Sequence, residues 1–279
     1  NQIANPEITP ETLLADPVER ARAVQPVGAP HPRIALPRDL FGPSRPNSRG
    51  LDLSNEQVLA SLAGTLPAIP PLTARPLLAE EACDGAAREV FNPADRRDLV
   101  DTVVEATSEQ VDRACADAKP WQAAPAERAR ILKRAADLME ERCADLLGSI
   151  VREAGKTLSN AVGEVREAVD FLRYYAGCVE SFDNETHRPL GVVACISPWN
   201  FPLSIFTGQI AGALAAGNAV IAKPAEETPL IAALGIAMLH DAGVPRDALQ
   251  LLLGDGETGK RLVANDAIAG VVFTGSTEA

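Results

Sequence analysis

Between Gly191 and Ser276, short apolar runs alternate with helical segments four times. The runs predict strands at 192–196, 219–222, 249–253 and 271–273, and the intervening segments predict helices at 203–216, 229–242 and 258–264. Apolar strands joined by helical crossovers form a parallel sheet with helices on both faces. We therefore expect an α/β fold with a doubly wound parallel sheet, which the end of the chain at residue 279 would leave incomplete.

Two residues mark expected helix starts in this region. Pro202 should lie in the first turn of the helix after the first strand, because a proline there leaves no hydrogen bond unmade. Thr228 should cap the next helix at Pro229, since a threonine side chain accepts hydrogen bonds from the first free amides of a helix. Both residues predict helices that begin directly after a strand-end turn.

The preceding residues predict a hairpin and a layer of helices. Two apolar segments, 88–91 and 99–104, flank a turn and are typical of antiparallel strands. Three helices should follow within 105–180, the first capped near Ser108, the second beginning at Pro125 and the third running from about Thr157. Their apolar faces would cover the sheet.

Gly155-Lys156-Thr157 matches the last three residues of a phosphate-binding P-loop. The full motif, GxxxxGK[ST], needs a glycine at the position of Ile150. The segment before it is also helical in pattern, whereas a P-loop follows a strand. We therefore reject a P-loop at this position.

Residues 1–84 differ from the rest of the chain, since thirteen of the 22 prolines lie before residue 80. A short helix is expected over 53–62, with Ser54 as its cap. Its inward face would carry Val58, Leu59 and Leu62. The remainder predicts an extended arm or linker that packs on another part of the protein, and simple disorder is the alternative.

The composition excludes several classes of function. A net charge of −12 argues against nucleic-acid binding by this chain and against docking on anionic membranes. No segment approaches the roughly 20 apolar residues that a membrane helix needs. Five cysteines without a CxxC pair are typical of a reducing compartment, so we expect a cytoplasmic protein. Three scattered histidines give no basis for a zinc site.

Each predicted strand ends in a polar or glycine-bearing turn, at the sheet edge where folds of this class bind ligands. Lys223 closes a buried strand, so its ammonium must reach the crevice at this edge. With Glu226 it could hold two ribose hydroxyls, the lysine donating and the carboxylate accepting hydrogen bonds. A salt bridge between the two residues is the alternative.

Two turns compete as phosphate sites. Gly254-Asp-Gly-Glu-Thr-Gly259 matches GxGxxG between a strand and a helix, but glycine turns after strands are common. The ribose-binding acid of that motif should lie about 20 residues on, and Asp266 is at the wrong distance. The turn after Phe273, Thr-Gly-Ser-Thr, offers small residues and main-chain amides as a second cradle.

Three motifs carry a resemblance to a known family. The segments Pro198-Trp-Asn-Phe-Pro202, Lys223-Pro-Ala-Glu-Glu-Thr-Pro229 and Phe273-Thr-Gly-Ser-Thr-Glu278, in this order and spacing, resemble the aldehyde dehydrogenase superfamily. Residues 164–175 and the 254–259 turn are similar to its glutamate-semialdehyde (pyrroline-5-carboxylate) dehydrogenase branch. Residues 40–54 resemble the segment that joins the two enzymes of bifunctional proline-utilisation proteins, where it follows a flavin-dependent proline dehydrogenase.

The resemblance implies an aldehyde-dehydrogenase-like, Rossmann-type sheet. Residues 85–279 would be the N-terminal part of an NAD-binding domain, with the helical layer at 105–180 and parallel βα units at 190–279. The catalytic domain would be absent from this chain, and FAD would belong only to the absent proline dehydrogenase. The family also implies a small aldehyde substrate and a homo-oligomeric full-length protein.

The resemblance further implies roles for individual residues. Asn200 would offer its side-chain amide to the oxyanion of a thiohemiacetal, and Phe201 would lie against the aliphatic part of the substrate. Lys223 and Glu226 would bind the adenosine ribose of NAD, with Glu226 repelling a 2′-phosphate. The remaining cofactor contacts would come from Ile196, Ser197, Trp199, Gly256, Gly275 and Ser276. Of these, Ser276 and the amide of Gly275 would hold the pyrophosphate.

The family's nucleophilic cysteine and general-base glutamate lie downstream of the Phe273 turn, beyond residue 279. Cys195 does not replace that nucleophile, because it lies in a buried strand, where an apolar setting raises the pKa of a thiol. Two rival functions remain open: an aldehyde dehydrogenase for another substrate, and a non-catalytic nucleotide-binding module. A DNA-binding role, which some full-length relatives have through a separate domain, has no support in these residues.

Overall fold

The computed structural model describes residues 5–66, 73–80 and 85–277. The N-terminal residues of the described part form helices α1 (Pro10–Leu14) and α2 (Pro17–Ala23), a 3-10 turn (Pro37–Asp39) and helix α3 (Glu56–Thr65). Helix α3 is capped by Asn55, whose side chain accepts hydrogen bonds from two main-chain amides, so the predicted cap at Ser54 is wrong. Leu62 is buried as expected, but Leu59 is exposed.

The segment around Ser48 binds the helical layer through carboxylates. The main-chain amide and hydroxyl of Ser48 donate to the two carboxylate oxygens of Asp170 at 2.7 and 2.8 Å. The amide of Arg49 donates to Glu140 at 2.9 Å. Ser48 is almost fully buried, so its two bonds are shielded from bulk water, and all three bonds hold this segment against the helices.

The predicted hairpin is confirmed as β1 (Ala87–Phe91) paired antiparallel with β2 (Leu99–Val104). Four helices follow instead of three: α4 (Ser108–Asp117), α5 (Pro125–Glu141), α6 (Cys143–Ala154) and α7 (Leu158–Val179). Sequence reasoning did not separate α6 from α5, because their boundary is the single non-helical residue Arg142. Helix α4 is capped by Thr107 and Gln110 in a reciprocal capping box, one residue before the predicted cap.

Helix α7 is the longest described helix, with 22 residues. Its buried face carries Val162, Val165, Val169 and Leu172, so this helix has the buried apolar face that was expected. It packs against α5 and against the first helix of the sheet. Among the described helices, none combines the length and apolar character that crossing a lipid bilayer requires.

The C-terminal residues form the predicted parallel sheet. Its elements are β3 (Val192–Ile196), α8 (Ser204–Ala215), β4 (Ala219–Lys223), α9 (Pro229–Ala242), β5 (Leu249–Leu251), α10 (Gly256–Val263) and β6 (Ile268–Phe273). The strand order is β5-β4-β3-β6, and every neighbouring pair is parallel. Helix α8 begins two residues after Pro202, so the predicted first-turn position of this proline is wrong.

Side chains of the strands alternate between two hydrophobic cores. Val193 and Cys195 of β3 face the core shared with α5, α7, α8 and α9, whereas Val192 and Ala194 face the core shared with α4 and α10. Helices therefore cover both faces of the sheet, which confirms the doubly wound arrangement. This packing leaves the carboxyl ends of the strands as the edge where polar turns gather.

Candidate active site

The sheet reverses its strand order between β3 and β6. The chain proceeds from β3 to β4 and β5 in one direction and then places β6 on the other side of β3. Open α/β sheets bind ligands in the crevice at such a switch point, outside the carboxyl ends of the strands. The turns after Ile196 and Phe273 leave the sheet at this crevice, so the structure brings these two predicted site segments together.

Gln209 of α8 connects the two turns at the switch point. Its side-chain amide donates to the Ile196 carbonyl at 3.2 Å and to the Thr274 hydroxyl at 3.0 Å. The Thr274 amide also donates to the Ile196 carbonyl. Sequence reasoning missed Gln209, although a polar residue inside an otherwise apolar helix was a usable signal. The main-chain oxygen of Ile196 is thus already engaged by protein donors.

Ser197 lies at the same edge and provides a polar group suited to a ligand. It is 4% exposed, and in the described part of the chain its hydroxyl has no hydrogen-bond partner. A buried hydroxyl without a partner is unfavourable, so its position fits a bound polar group at the crevice. The amide of Ser197 donates to the Lys223 carbonyl at 3.2 Å, which ties this turn to the end of β4.

Carboxylates occupy the amino ends of three helices that follow the strands. Glu164 accepts from the amides of Leu203 and Ser204 at α8. Asp255 accepts from the amides of Glu257 and Thr258 at α10. A helix end bound by a carboxylate is a poor phosphate site, because the same amides and the same positive dipole end would be needed.

The carboxyl group of Glu153 occupies the third of these helix ends. Its two oxygens accept from the amides of Leu230 and Ile231 at 2.6 and 2.8 Å, at the amino end of α9. The predicted cap at Thr228 is therefore wrong: the Thr228 side chain makes no capping hydrogen bond. Burial raises the pKa of Glu153 to about 8, although the two amide hydrogen bonds act in the opposite direction.

Lys223 ends β4 and is 6% exposed. Its ammonium donates to the Pro224 carbonyl at 3.0 Å. Burial lowers the pKa of Lys223, and the surrounding carboxylates, led by Glu226, act in the opposite direction. Within the described residues no ion pair joins Lys223 to Glu226, so the alternative of a salt-bridged strand end is not what the structure shows.

The side chain of Glu226 is exposed, and its main chain is held in place. Arg88 of β1 donates to the Glu226 carbonyl at 2.7 Å and also pairs with Glu105. The hairpin thereby fixes the turn that follows β4 while leaving the Glu226 carboxylate accessible to a ligand.

Two glycines of the GxGxxG match differ in their surroundings: Gly259 adjoins the Lys223 side chain, and Gly256 faces open space. A Cβ at Gly259 would lie 3.3 Å from the Lys223 side chain, so the missing side chain gives the lysine room. Gly256 is the first residue of α10 and faces open space. The Asp255 side chain already binds the free amides at the start of α10, so these amides are not available for a phosphate. The turn can still border a ligand. The GxGxxG match alone is therefore weak evidence for a phosphate site.

The turn after β3 presents its predicted site residues to solvent. Trp199, Asn200 and Phe201 are all exposed, with Phe201 at 41% and Trp199 at 56%. The ammonium of Lys156 donates to the Asn200 carbonyl at 2.7 Å and lies 4.4 Å from the centre of the Phe201 ring. The Asn200 amide is thus open to a reactant while its main chain is anchored.

Cys195 has none of the properties of a nucleophile. It is fully buried within β3, and this burial raises the pKa of its thiol to about 12. Burial likewise raises the pKa values of Cys115 and Cys143 to about 11. Thiolates are the reactive form of cysteine, so a raised pKa disfavours the reactive form of these three thiols. The expectation that Cys195 is structural is supported.

Comparisons with known proteins agree with this geometry. Bifunctional protein PutA of Salmonella typhimurium is 56% identical over 291 aligned residues, which cover 100% of this chain and 22% of that protein. A crystal structure of a mutant of Bradyrhizobium japonicum proline utilization A is 38% identical, with a TM-score of 0.74, and the match covers 99% of this chain and 27% of that one. The chain therefore spans about a quarter of the length of these relatives.

A third relative is a shorter enzyme solved with its cofactor. The structure of 1-pyrroline-5-carboxylate dehydrogenase from Thermus with bound NAD is 28% identical, with a TM-score of 0.74, over 81% of this chain and 48% of that one. The model of the aldehyde dehydrogenase family matches residues 80–279, which is more than two thirds of the sequence. On this match and the whole-length identity, the chain belongs to the aldehyde dehydrogenase family.

Proposed function

We propose that this chain is part of an NAD-dependent dehydrogenase that oxidises L-glutamate γ-semialdehyde to L-glutamate in proline catabolism. The observation that carries the proposal is the whole-length similarity to proline-utilisation proteins, together with a sheet whose switch point lies between the turns after β3 and β6. Residues 1–84 would form a linker or arm, and residues 85–279 the N-terminal part of the NAD-binding domain. The catalytic domain, with the cysteine nucleophile and glutamate base, would lie outside this chain.

The residues present fit NAD. Three of the four strand-end turns lead to helices whose first amides are already bound by side-chain carboxyl groups. The fourth turn, which contains Gly275 and Ser276, is therefore favoured as the pyrophosphate site. Lys223 would donate to the adenosine ribose, and Glu226 would accept from it while repelling a 2′-phosphate. Further contacts would come from Ile196, Ser197, Trp199 and Gly256, with Ile196 limited by the donors its carbonyl already binds.

In the reaction, NAD when bound supplies the hydride acceptor. The contribution of this chain is electrostatic and geometric. The Asn200 amide would donate to the oxygen of the aldehyde as it gains negative charge during attack by the cysteine, and Phe201 would hold the aliphatic part of the substrate. Water activated by the glutamate base would then release the acid from the enzyme.

The substrate assignment is tested by steady-state kinetics of the full-length protein. We expect NADH formation with a clearly higher kcat/KM for L-glutamate γ-semialdehyde than for succinate semialdehyde. Equal or reversed values would make this an aldehyde dehydrogenase for another substrate. NAD binding without turnover of either aldehyde would leave a non-catalytic nucleotide-binding module.

The full-length protein is further proposed to be cytoplasmic and homo-oligomeric, with FAD confined to a separate proline dehydrogenase unit. The Salmonella relative is a bifunctional protein, which motivates the second unit. Cell fractionation, light scattering after size exclusion and the absorbance spectrum of the purified protein test these three points. Membrane recovery, a monomer or the lack of a flavin spectrum would each contradict one of them.

Replacing Lys223 by alanine should weaken NAD binding about 10- to 100-fold, since charge-assisted hydrogen bonds contribute roughly 1.5–3 kcal/mol. In the described structure the buried ammonium donates one hydrogen bond to the Pro224 carbonyl, so its other N–H groups could donate to the ribose. Fluorescence titration of the full-length protein with NAD measures the effect. Lys260→Ala, which removes an exposed lysine of α10, is the matched control and should bind NAD as the wild type does. Equal affinities of both variants would remove Lys223 from the cofactor site.

A further inference from the structure

Lys156 lies in the short connection between α6 and α7 and reaches across to the turn after β3. Its side chain is only 15% exposed. The ammonium contacts three groups: it pairs with the Glu164 carboxylate, donates to the Asn200 carbonyl at 2.7 Å and lies over the Phe201 ring. Gly155, in the left-handed conformation at the end of α6, turns the chain so that Lys156 can point this way.

Glu164 connects this lysine to the helix that follows the turn. Its side chain is 1% exposed, one oxygen binds Lys156, and the other accepts from the amides of Ser204 at 2.9 Å and Leu203 at 3.3 Å. One buried ion pair therefore holds both the middle of the turn, at Asn200, and its end, at the start of α8.

The turn has limited means of holding itself in place. Pro198 and Pro202 have no amide hydrogen, so neither can donate a main-chain hydrogen bond within the turn. These bonds come from Glu164 of α7 and from Lys156 in the connection before it, and α7 packs against α5 and α8. The position of Asn200 and Phe201 thus depends on groups from a different layer of the molecule.

We infer that Lys156 and Glu164 are positioning residues for the reaction, acting through Asn200 and Phe201. This inference rests on the proposed function, because it assumes that Asn200 and Phe201 contact the aldehyde substrate. The ammonium fixes the carbonyl of Asn200 and the face of the Phe201 ring. The Asn200 side chain is thereby held ready for the aldehyde oxygen. An error of about 1 Å in such a position lowers a rate on the order of 100-fold.

The first test replaces Lys156 by methionine, which keeps most of the chain length and removes the charge and the donor. In the full-length protein kcat should fall about 10- to 100-fold, and KM for NAD should stay within about twofold of the wild type. Lys156→Arg keeps the charge and the donors, so it should recover most of the lost kcat. A purely structural role would lower the melting temperature without this split between kcat and the KM for NAD.

A double-mutant cycle with Asn200→Ala tests whether Lys156 acts through Asn200. If it does, Lys156→Met should lower kcat much less in the Asn200→Ala background than in the wild type. Equal effects in both backgrounds would overturn the inference. Should Lys156→Met fail to fold, Glu164→Gln takes its place. That variant keeps an acceptor for the α8 amides, removes the charge that binds Lys156, and must itself lower kcat.

Lys133→Met is the matched control, because Lys133 forms an exposed ion pair with Glu180 on the same helical layer. It should have wild-type kcat and KM values. If the wild type oxidises the aldehyde and Lys156→Met matches Lys133→Met, the inference is wrong while the proposed function stands. If the wild type oxidises no aldehyde, the proposed function itself fails.

Discussion

Replacing Asn200 by alanine in the full-length protein should lower kcat about 100- to 1,000-fold, the effect of removing one donor from an oxyanion site. Affinity for NAD should be nearly unchanged, because the proposed role of Asn200 is at the aldehyde, whereas the proposed role of Lys223 is at the ribose of NAD. Asn200 is exposed, and among the described helices its side chain caps neither α8 nor any other, so alanine should not disturb the fold. Steady-state rates and NAD titration of the same preparation separate the two effects.

Asn160→Ala provides the control for this substitution. Asn160 is an exposed residue on α7, so the same chemical change there should leave kcat, KM and stability at wild-type values. Two results would contradict the role given to Asn200. One is a kcat equal to that of the control, and the other is a loss of NAD affinity as large as the loss of kcat.

Local sequence signals were sufficient to locate the strands and most helices, although β6 begins at Ile268, three residues before its predicted start. β3 and β4 follow from apolar runs that end in proline or lysine, because such runs are buried on both faces of a parallel sheet. The start of α9 was also placed correctly at Pro229. Its cap was not, since the carboxylate that binds the α9 amides comes from Glu153, a residue far away in sequence. No local rule for helix capping includes a partner from another layer.

The candidate site shows the same division between local and distant information. Its residues at strand ends, such as Lys223, could be predicted because the topology brings those ends to one edge. Lys156 could not, since its partners Asn200 and Phe201 are brought near only by the packing of α7 on α8. Glu153 and Glu164 did leave a signal: each is a carboxylate on the buried face of its helix. A charged residue in that place requires a partner.

The largest expected effect on stability concerns Glu153. Its pKa of about 8 in the folded protein is higher than the ordinary value of 4.5, because burial disfavours the carboxylate. A raised folded pKa means that Glu153 contributes most to stability when it is protonated, below about pH 4.5. This contribution is lost as pH rises toward 8 and through it. The sign is opposite to that of an exposed, salt-bridged carboxylate.

Glu153→Gln therefore gives a specific prediction. Glutamine is neutral at every pH and has nearly the same shape, so the variant lacks this titration. The free energy of unfolding of the wild type, relative to the variant, should fall between pH 5 and pH 8 by an amount on the order of a few kcal/mol. Urea denaturation of both full-length proteins across this pH range measures the difference between their free energies of unfolding. Titrations common to both proteins, such as that of His240, cancel in this difference. Parallel curves would mean that the amides of Leu230 and Ile231 stabilise the Glu153 carboxylate enough to offset its burial.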